Sequence, residues 1–188
     1  MTLDKNWVLG FIEGEGCFSI IFKKSGKDPN RRQAIADFTI KLTETERDVL
    51  EKLQQFFGGI GHIYFQSSDS NRRRGIINSN DCWAFKVTKL KEVKKVADFF
   101  DTMDFVSDSK KADFELWKKC MAMIERKEHL KREGILKIAI LREKLHRRKQ
   151  WNKKNFCQFR NTIEKCSEFI KKKKIPENCD LCRREICT

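Results

Sequence analysis

Hydrophobic and polar positions switch between two periods along this chain, and the switches mark its elements. Residues 6–14, NWVLGFIEG, carry apolar positions at helical spacing, with Asp4 or Asn6 available as a cap, and predict a short helix. From Cys17 to Lys24 the pattern alternates, with Phe18, Ile20 and Phe22 on one face and Cys17, Ser19, Ile21 and Lys23 on the other. After the polar SGKDPNRR, residues 33–42 alternate again with Ala34, Ala36, Phe38 and Ile40 inward, so the two segments predict a hairpin with a long basic tip. Residues 44–57 return to helical spacing at Val49, Leu50, Leu53, Phe56 and Phe57, and GGIG stops them. A second hairpin is predicted from residues 62–66 and 82–88 across SSDSNRRRGIINSND, and residues 89–101, 110–127 and 130–147 read as helices.

This order predicts an α+β fold: an αββαββα core that uses one αββ unit twice, with a four-stranded antiparallel sheet covered by helices on its apolar face only. The other face is expected to stay open. Its outward positions are Ser19, Ile21, Lys23, Gln33, Ile35, Asp37, Thr39, Lys41, His62, Tyr64, Gln66, Ala84 and Lys86. Long polar side chains among small ones on a twisted ribbon suit the DNA major groove, which admits two strands and presents a distinct pattern for every base pair. An ordinary solvated sheet would alternate in the same way. The arginines at the two tips, Arg31, Arg32, Arg72, Arg73 and Arg74, favour nucleic acid over that reading.

Charge sharpens the picture. The 188 residues hold 41 Lys and Arg against 27 Asp and Glu, a formal +14, which favours a polyanionic partner: nucleic acid or an anionic membrane surface. With 39% hydrophobic residues, including 15 Phe, the chain has enough apolar mass for a core. The N-terminal MTLDKNWVLGFIEGEG has an early Asp4 and is cut by Glu13 and Glu15, unlike a signal peptide, and no apolar run reaches membrane-spanning length. An intracellular, soluble, non-secreted protein is expected. Residues 142–188 hold 15 Lys and Arg against 6 Asp and Glu, a net +9, so the excess is concentrated in a basic tail, which reads as a solvated extension or as an arm that tracks phosphates.

Gly10, Gly14 and Gly16 interrupt what otherwise reads as a good buried helix, VLGFIEGEG, and glycine is costly there. Gly10 and Gly14 lie one turn apart and leave a smooth stripe that lets another helix approach closely. A close crossing of two such helices would bring two copies of Glu15 together, and adjacent carboxylates repel unless divalent cations sit between them. The segment resembles the signature motif of the LAGLIDADG homing endonucleases, with Val8 in its first position and Gly16 in its last. Residues 109–138, SKKADFELWKKCMAMIERKEHLKREGILKI, resemble that family's downstream helical segment, and the similarity spans about residues 6–148.

The resemblance implies residue 1–148 as the endonuclease domain and 149–188 as a basic, cysteine-rich extension. It implies that Glu15 binds the catalytic metal, most plausibly Mg²⁺, with the Gly14 carbonyl as second ligand, while Glu13 caps or braces the helix pair. It places a basic residue near the scissile phosphate, for which Lys110 is the candidate and Lys111 the reserve. A single motif implies a homodimer through Val8, Gly10, Phe11 and Gly14, acting on long pseudo-palindromic double-stranded DNA. The implied function is an intron-encoded, site-specific endonuclease that hydrolyses one phosphodiester on each strand, located with the DNA of its host gene in an organelle or a prokaryotic cytoplasm, with no membrane partner. The competing reading is a non-cleaving relative: an RNA-binding maturase for its own intron, or a DNA-binding regulator. Many dimeric relatives carry a water-positioning Gln at the end of the second strand, where this chain has Leu42; Thr43 or Thr45 are the candidate substitutes.

In the tail, Cys179 and Cys182 form a CxxC with zinc-knuckle spacing, and Cys157, Cys166 and Cys187 could supply the other ligands of a structural Zn²⁺. Thiols without metal and disulfides remain alternatives. Cys17, Cys82 and Cys120 fall in core elements and read as packing residues. His62, His129 and His146 are isolated and carry no catalytic expectation, though His62 could touch DNA.

Overall fold

A computed structural model describes residues 3–24, 32–73 and 80–145, all within the unit Met1–His146. Arg31, Arg74, His146 and the tail cysteines Cys157, Cys166, Cys179, Cys182 and Cys187 lie outside the described residues, as does the Arg32 side chain.

Helix α1 (Lys5–Glu15) starts at Asp4, whose carboxylate accepts from the backbone N–H of Asn6 at 2.8 Å and of Trp7 at 3.1 Å. The chain passes directly into β1 (Gly16–Lys24), which pairs with β2 (Arg32–Thr43) from Gly16 opposite Ile40 to Lys24 opposite Arg32. A 3-10 turn, Glu44–Glu46, leads into α2 (Arg47–Phe56). The second hairpin consists of β3 (His62–Gln66) and β4 (Cys82–Val87), whose connection includes, among the described residues, a helical turn, α3 (Asp69–Arg72), that alternation alone does not predict. The base of this loop is closed by the Ser68 N–H donating to Asp81 at 2.7 Å, and that bond holds the Asp81 carboxyl below its usual range. Helices α4 (Leu90–Asp101) and α5 (Asp108–Glu125), a 3-10 turn at Glu128–Leu130 and α6 (Arg132–Lys144) complete the order.

The four strands form one antiparallel sheet in the order β1-β2-β4-β3. The two αββ units therefore meet along β2 and β4, from Phe38 opposite Val87 to Thr43 opposite Cys82. Every inward position predicted on β1 and β2 is buried, with Phe22 partly so near the open end. Phe18 sits at the centre of an aromatic cluster, 5.6 Å from both Phe38 and Phe100, 5.4 Å from Phe114 and 5.0 Å from Trp117, so α4 and α5 are packed onto the hairpin through aromatic rings. The turn from α5 to α6 is equally tight: a Cβ at Gly134 would collide with the Glu128 carbonyl, which gives a steric reason for the EG that follows KEHL.

Candidate functional site

The carboxyl end of α1 gathers the chemistry. The Gly16 N–H closes the helix onto the Ile12 carbonyl, and the carbonyls that follow have no partner within the helix. A Cβ at Gly16 would lie 2.7 Å from the Ile12 oxygen, so the sharp passage from helix to strand requires glycine. Glu15 is exposed at this end. Lys110, in the first turn of α5, is buried to 7% exposure and donates from Nζ to the Gly16 carbonyl at 2.6 Å. Its ammonium lies where the α1 dipole is negative, a favourable placement. Lys111 points out to solvent. Glu13 accepts from the Ser107 N–H at 3.0 Å, and Ser107 caps α5, so Glu13 ties the end of α1 to the positive end of α5 in the same chain.

One face of α1 is uncovered. Gly10 and Gly14 are exposed and an added Cβ on either would meet nothing within 4 Å. Trp7, 45% exposed, stacks on half-buried Phe11 at 5.0 Å, so Trp7, Gly10, Phe11 and Gly14 form a continuous stripe at i, i+3, i+4 and i+7. The expectation that Val8 belongs to this surface is corrected: Val8 is fully buried in the core with Leu9 and Ile12. Helical spacing counted from Gly10 and Gly14 leads to Trp7 and Phe11, and Val8 turns from that stripe toward the core.

The outward sheet face has the predicted membership but not a uniform exposure. Lys23, Gln33, Lys41 and His62 are exposed, Ser19, Ile21, Ile35, Tyr64, Gln66 and Lys86 are half-buried, and Arg72 and Arg73 are exposed beyond β3. Asp37 and Thr39 are buried, at 4% and 8%, which corrects their expected role as direct contacts. Asp37 accepts from Ser19 Oγ at 3.2 Å and Thr39 Oγ1 at 3.0 Å and pairs with Lys86 Nζ at 3.1 Å, so one carboxylate joins β1, β2 and β4 under the surface. Alternation gives the face on which a side chain lies; the cover supplied by its lateral neighbours is a tertiary property. Ala84 is likewise buried on this face, between Lys41 and Tyr64 in register.

Leu42 turns inward and packs against the core, opposite Trp83, and leaves Thr43 on the outward side with its hydroxyl 3.2 Å from that of Thr45. Cys17 and Cys82 are half-buried on the outward face, in register with Thr39 and Thr43 and not in the core. Cys120 is buried as expected, and burial pushes its thiol up to about 12, which leaves it unreactive. His129 is buried too, and desolvation lowers its ring below the ordinary 6.5 against the opposing pull of a hydrogen bond to the Ile124 backbone.

Among the described residues no three His, Cys, Asp or Glu side chains come together to hold a metal. The donors at the end of α1 are all oxygen, the Glu15 carboxylate and the Gly14 carbonyl, as a hard divalent cation prefers. One chain supplies only one carboxylate there. These two oxygen donors would suit such a cation.

Comparison with known proteins gives the family and the fold. Residues 8–121 match the family model for a LAGLIDADG endonuclease. A Neurospora crassa protein named "Probable intron-encoded endonuclease 3" is 28% identical over 141 residues, covering 74% of this chain and 24% of its own length. A Podospora anserina protein encoded in ND4 intron 1 is 30% identical over 131 residues, covering 69% of this chain and 26% of its own. The chain thus spans about a quarter of the length of these curated relatives. Among solved structures, the homing endonuclease I-TnaI superposes with a TM-score of 0.69 at 27% identity over 88% of this chain and 99% of that one. I-SmaMI, bound to uncleaved DNA in the presence of calcium, gives 0.65 at 26% identity over 84% of this chain and 49% of its own.

Proposed function

Because the chain belongs to the LAGLIDADG endonuclease family, we propose that it is a site-specific, intron-encoded homing endonuclease that makes double-strand breaks as a homodimer on long pseudo-palindromic DNA. The observation that carries the reading is the position of Glu15: an exposed carboxylate at the end of a helix whose uncovered stripe carries no side chain at Gly10 and Gly14. Two copies crossing at Trp7, Gly10, Phe11 and Gly14 bring two Glu15 carboxylates together. One copy covers 99% of the I-TnaI chain and 49% of the I-SmaMI chain, so the described fold matches one unit in each.

Glu15 and the Gly14 carbonyl would hold a divalent cation, for which Mg²⁺ is proposed. When bound, the ion supplies charge stabilisation at the phosphate and its leaving oxygen and lowers the pKa of attacking water. Lys110, fixed on the Gly16 carbonyl, keeps a positive charge beside the scissile phosphate without a conformational change, and exposed Lys111 contacts the backbone. The Thr43 and Thr45 hydroxyls order solvent at the place where Leu42 has turned away. Lys23, Gln33, Lys41, Tyr64 and Gln66 face the major groove, and the tip arginines follow phosphates. The tail, residues 149–188, is proposed to add phosphate contacts and to supply Zn²⁺ ligands from Cys179, Cys182, Cys166 and either Cys157 or Cys187; metal analysis of the purified chain and of Cys179→Ser tests this, with zinc lost in the variant.

The test of the function is incubation with DNA spanning the intron-free insertion site of the host gene, with Mg²⁺ or with EDTA. Cleavage of both strands only with the metal is expected. Tight duplex binding with no cleavage would overturn the proposal in favour of a DNA-binding regulator, and preference for the intron RNA in favour of a maturase.

A further inference from the structure

Lys86 and Asp37 lie in the middle of the open sheet face, where the proposed function places DNA, and a carboxylate under such a surface is out of place electrostatically. Asp37 is 4% exposed and takes three donors from three strands: Ser19 Oγ, Thr39 Oγ1 and Lys86 Nζ. The Lys86 side chain keeps 23% of its surface. Its ammonium has three donors, one directed to Asp37, so the others remain for the groove. The charge, in contrast, is already compensated. A compensated lysine neutralises no phosphate and releases no counterion on binding, yet its donors still match a purine edge, which offers acceptors at N7 and, in guanine, O6. Holding the ammonium against a buried carboxylate also removes the rotamer freedom that makes a free lysine a poor discriminator.

We propose that Lys86, positioned by Asp37, is a specificity-determining residue that reads a purine edge in each half-site and contributes nothing to the salt-dependent phosphate affinity, which comes from exposed neighbours such as Lys41 and Lys23 that pair with no carboxylate among the described residues. The inference rests on the DNA-binding reading above. It also separates two lysines of one sheet face by a measurable property.

The experiment compares the full chain with Lys41→Met, with Asp37→Asn and with the double variant Asp37→Asn/Lys86→Met, which removes both charges and leaves no buried carboxylate unpaired. Binding of a short duplex of fixed arbitrary sequence is measured across about 50 to 200 mM salt. Lys41→Met lowers the slope of log affinity against log salt by about one. The double variant leaves that slope unchanged, and Asp37→Asn raises it by about one because Lys86 is released to phosphate. In selection from a randomised duplex pool the double variant loses a purine preference at one position per half-site, roughly tenfold. A slope reduced by about one in the double variant, or a base preference identical to that of the unaltered chain, overturns the assignment while leaving the nuclease reading intact. Failure of the unaltered chain to bind duplex would instead overturn that reading, and this inference with it.

Discussion

Lys110 and Lys111 are neighbours in sequence with opposite environments, and their substitutions separate stability from catalysis. Lys110→Met leaves the Gly16 carbonyl without its buried partner, and a cost of about 1–3 kcal/mol is expected in a denaturant titration, together with loss of cleavage. Lys111→Met should stay within about 0.5 kcal/mol of the unaltered chain. His129 gives the fold a pH dependence. Its folded-state pKa lies below the ordinary 6.5, so the unfolded chain binds the extra proton as pH falls below that value, and stability is full above 6.5 and declines beneath it. Thermal unfolding between pH 7 and pH 5 checks this, and His129→Gln should lose that part of the slope. Sequence gave access to Glu15 through its place in the motif. It could not show that Val8 is core while Trp7 is surface, because the orientation of a short helix is set by the sheet beneath it, nor that Asp37 is covered, because its cover comes from three strands.

At the level of elements, the alternation in β1 and β2 and the amphipathic spacing of α2 carry enough signal to give the sheet, its faces and the helix that follows. What they lack is the one-turn α3, four residues with no apolar face, and the 3-10 turn at Glu128–Leu130 ahead of α6. Helix α1 makes a prediction of its own. Gly10→Ala adds a methyl into open space, so a gain of about 0.5–1 kcal/mol in stability is expected for the isolated chain. Gly10→Leu should leave the chain folded by circular dichroism and reduce its mass in analytical ultracentrifugation from dimer to monomer. Gly134→Ala is the contrasting case, where collision with the Glu128 carbonyl predicts a loss of about 1–3 kcal/mol, since the tight turn cannot yield without moving backbone.

At the scale of the molecule, the +14 charge noticed in the sequence becomes a distribution. Some of the cations are paired within the chain, Lys86 with Asp37, Lys94 with Glu125 and Lys118 with Asp101, and Lys110 is held at the α1 terminus; the net excess is unchanged by these pairs. With exposed lysines such as Lys23 and Lys41 able to meet phosphate, affinity for duplex should fall steeply with salt, and if the basic tail adds to the contact, a chain ending at His146 should show a shallower slope than the full one. The open sheet, the α1 stripe and the exposed carboxylate lie on surfaces that a single copy leaves uncovered, and the proposed double-strand break would use two such copies in one particle. Glu15 is the residue on which this account depends. Cleavage of DNA spanning the insertion site should therefore be measured for the unaltered chain and Glu15→Gln side by side in Mg²⁺: retained binding with no detectable break in the variant is the predicted result, and full cleavage by Glu15→Gln would contradict the account.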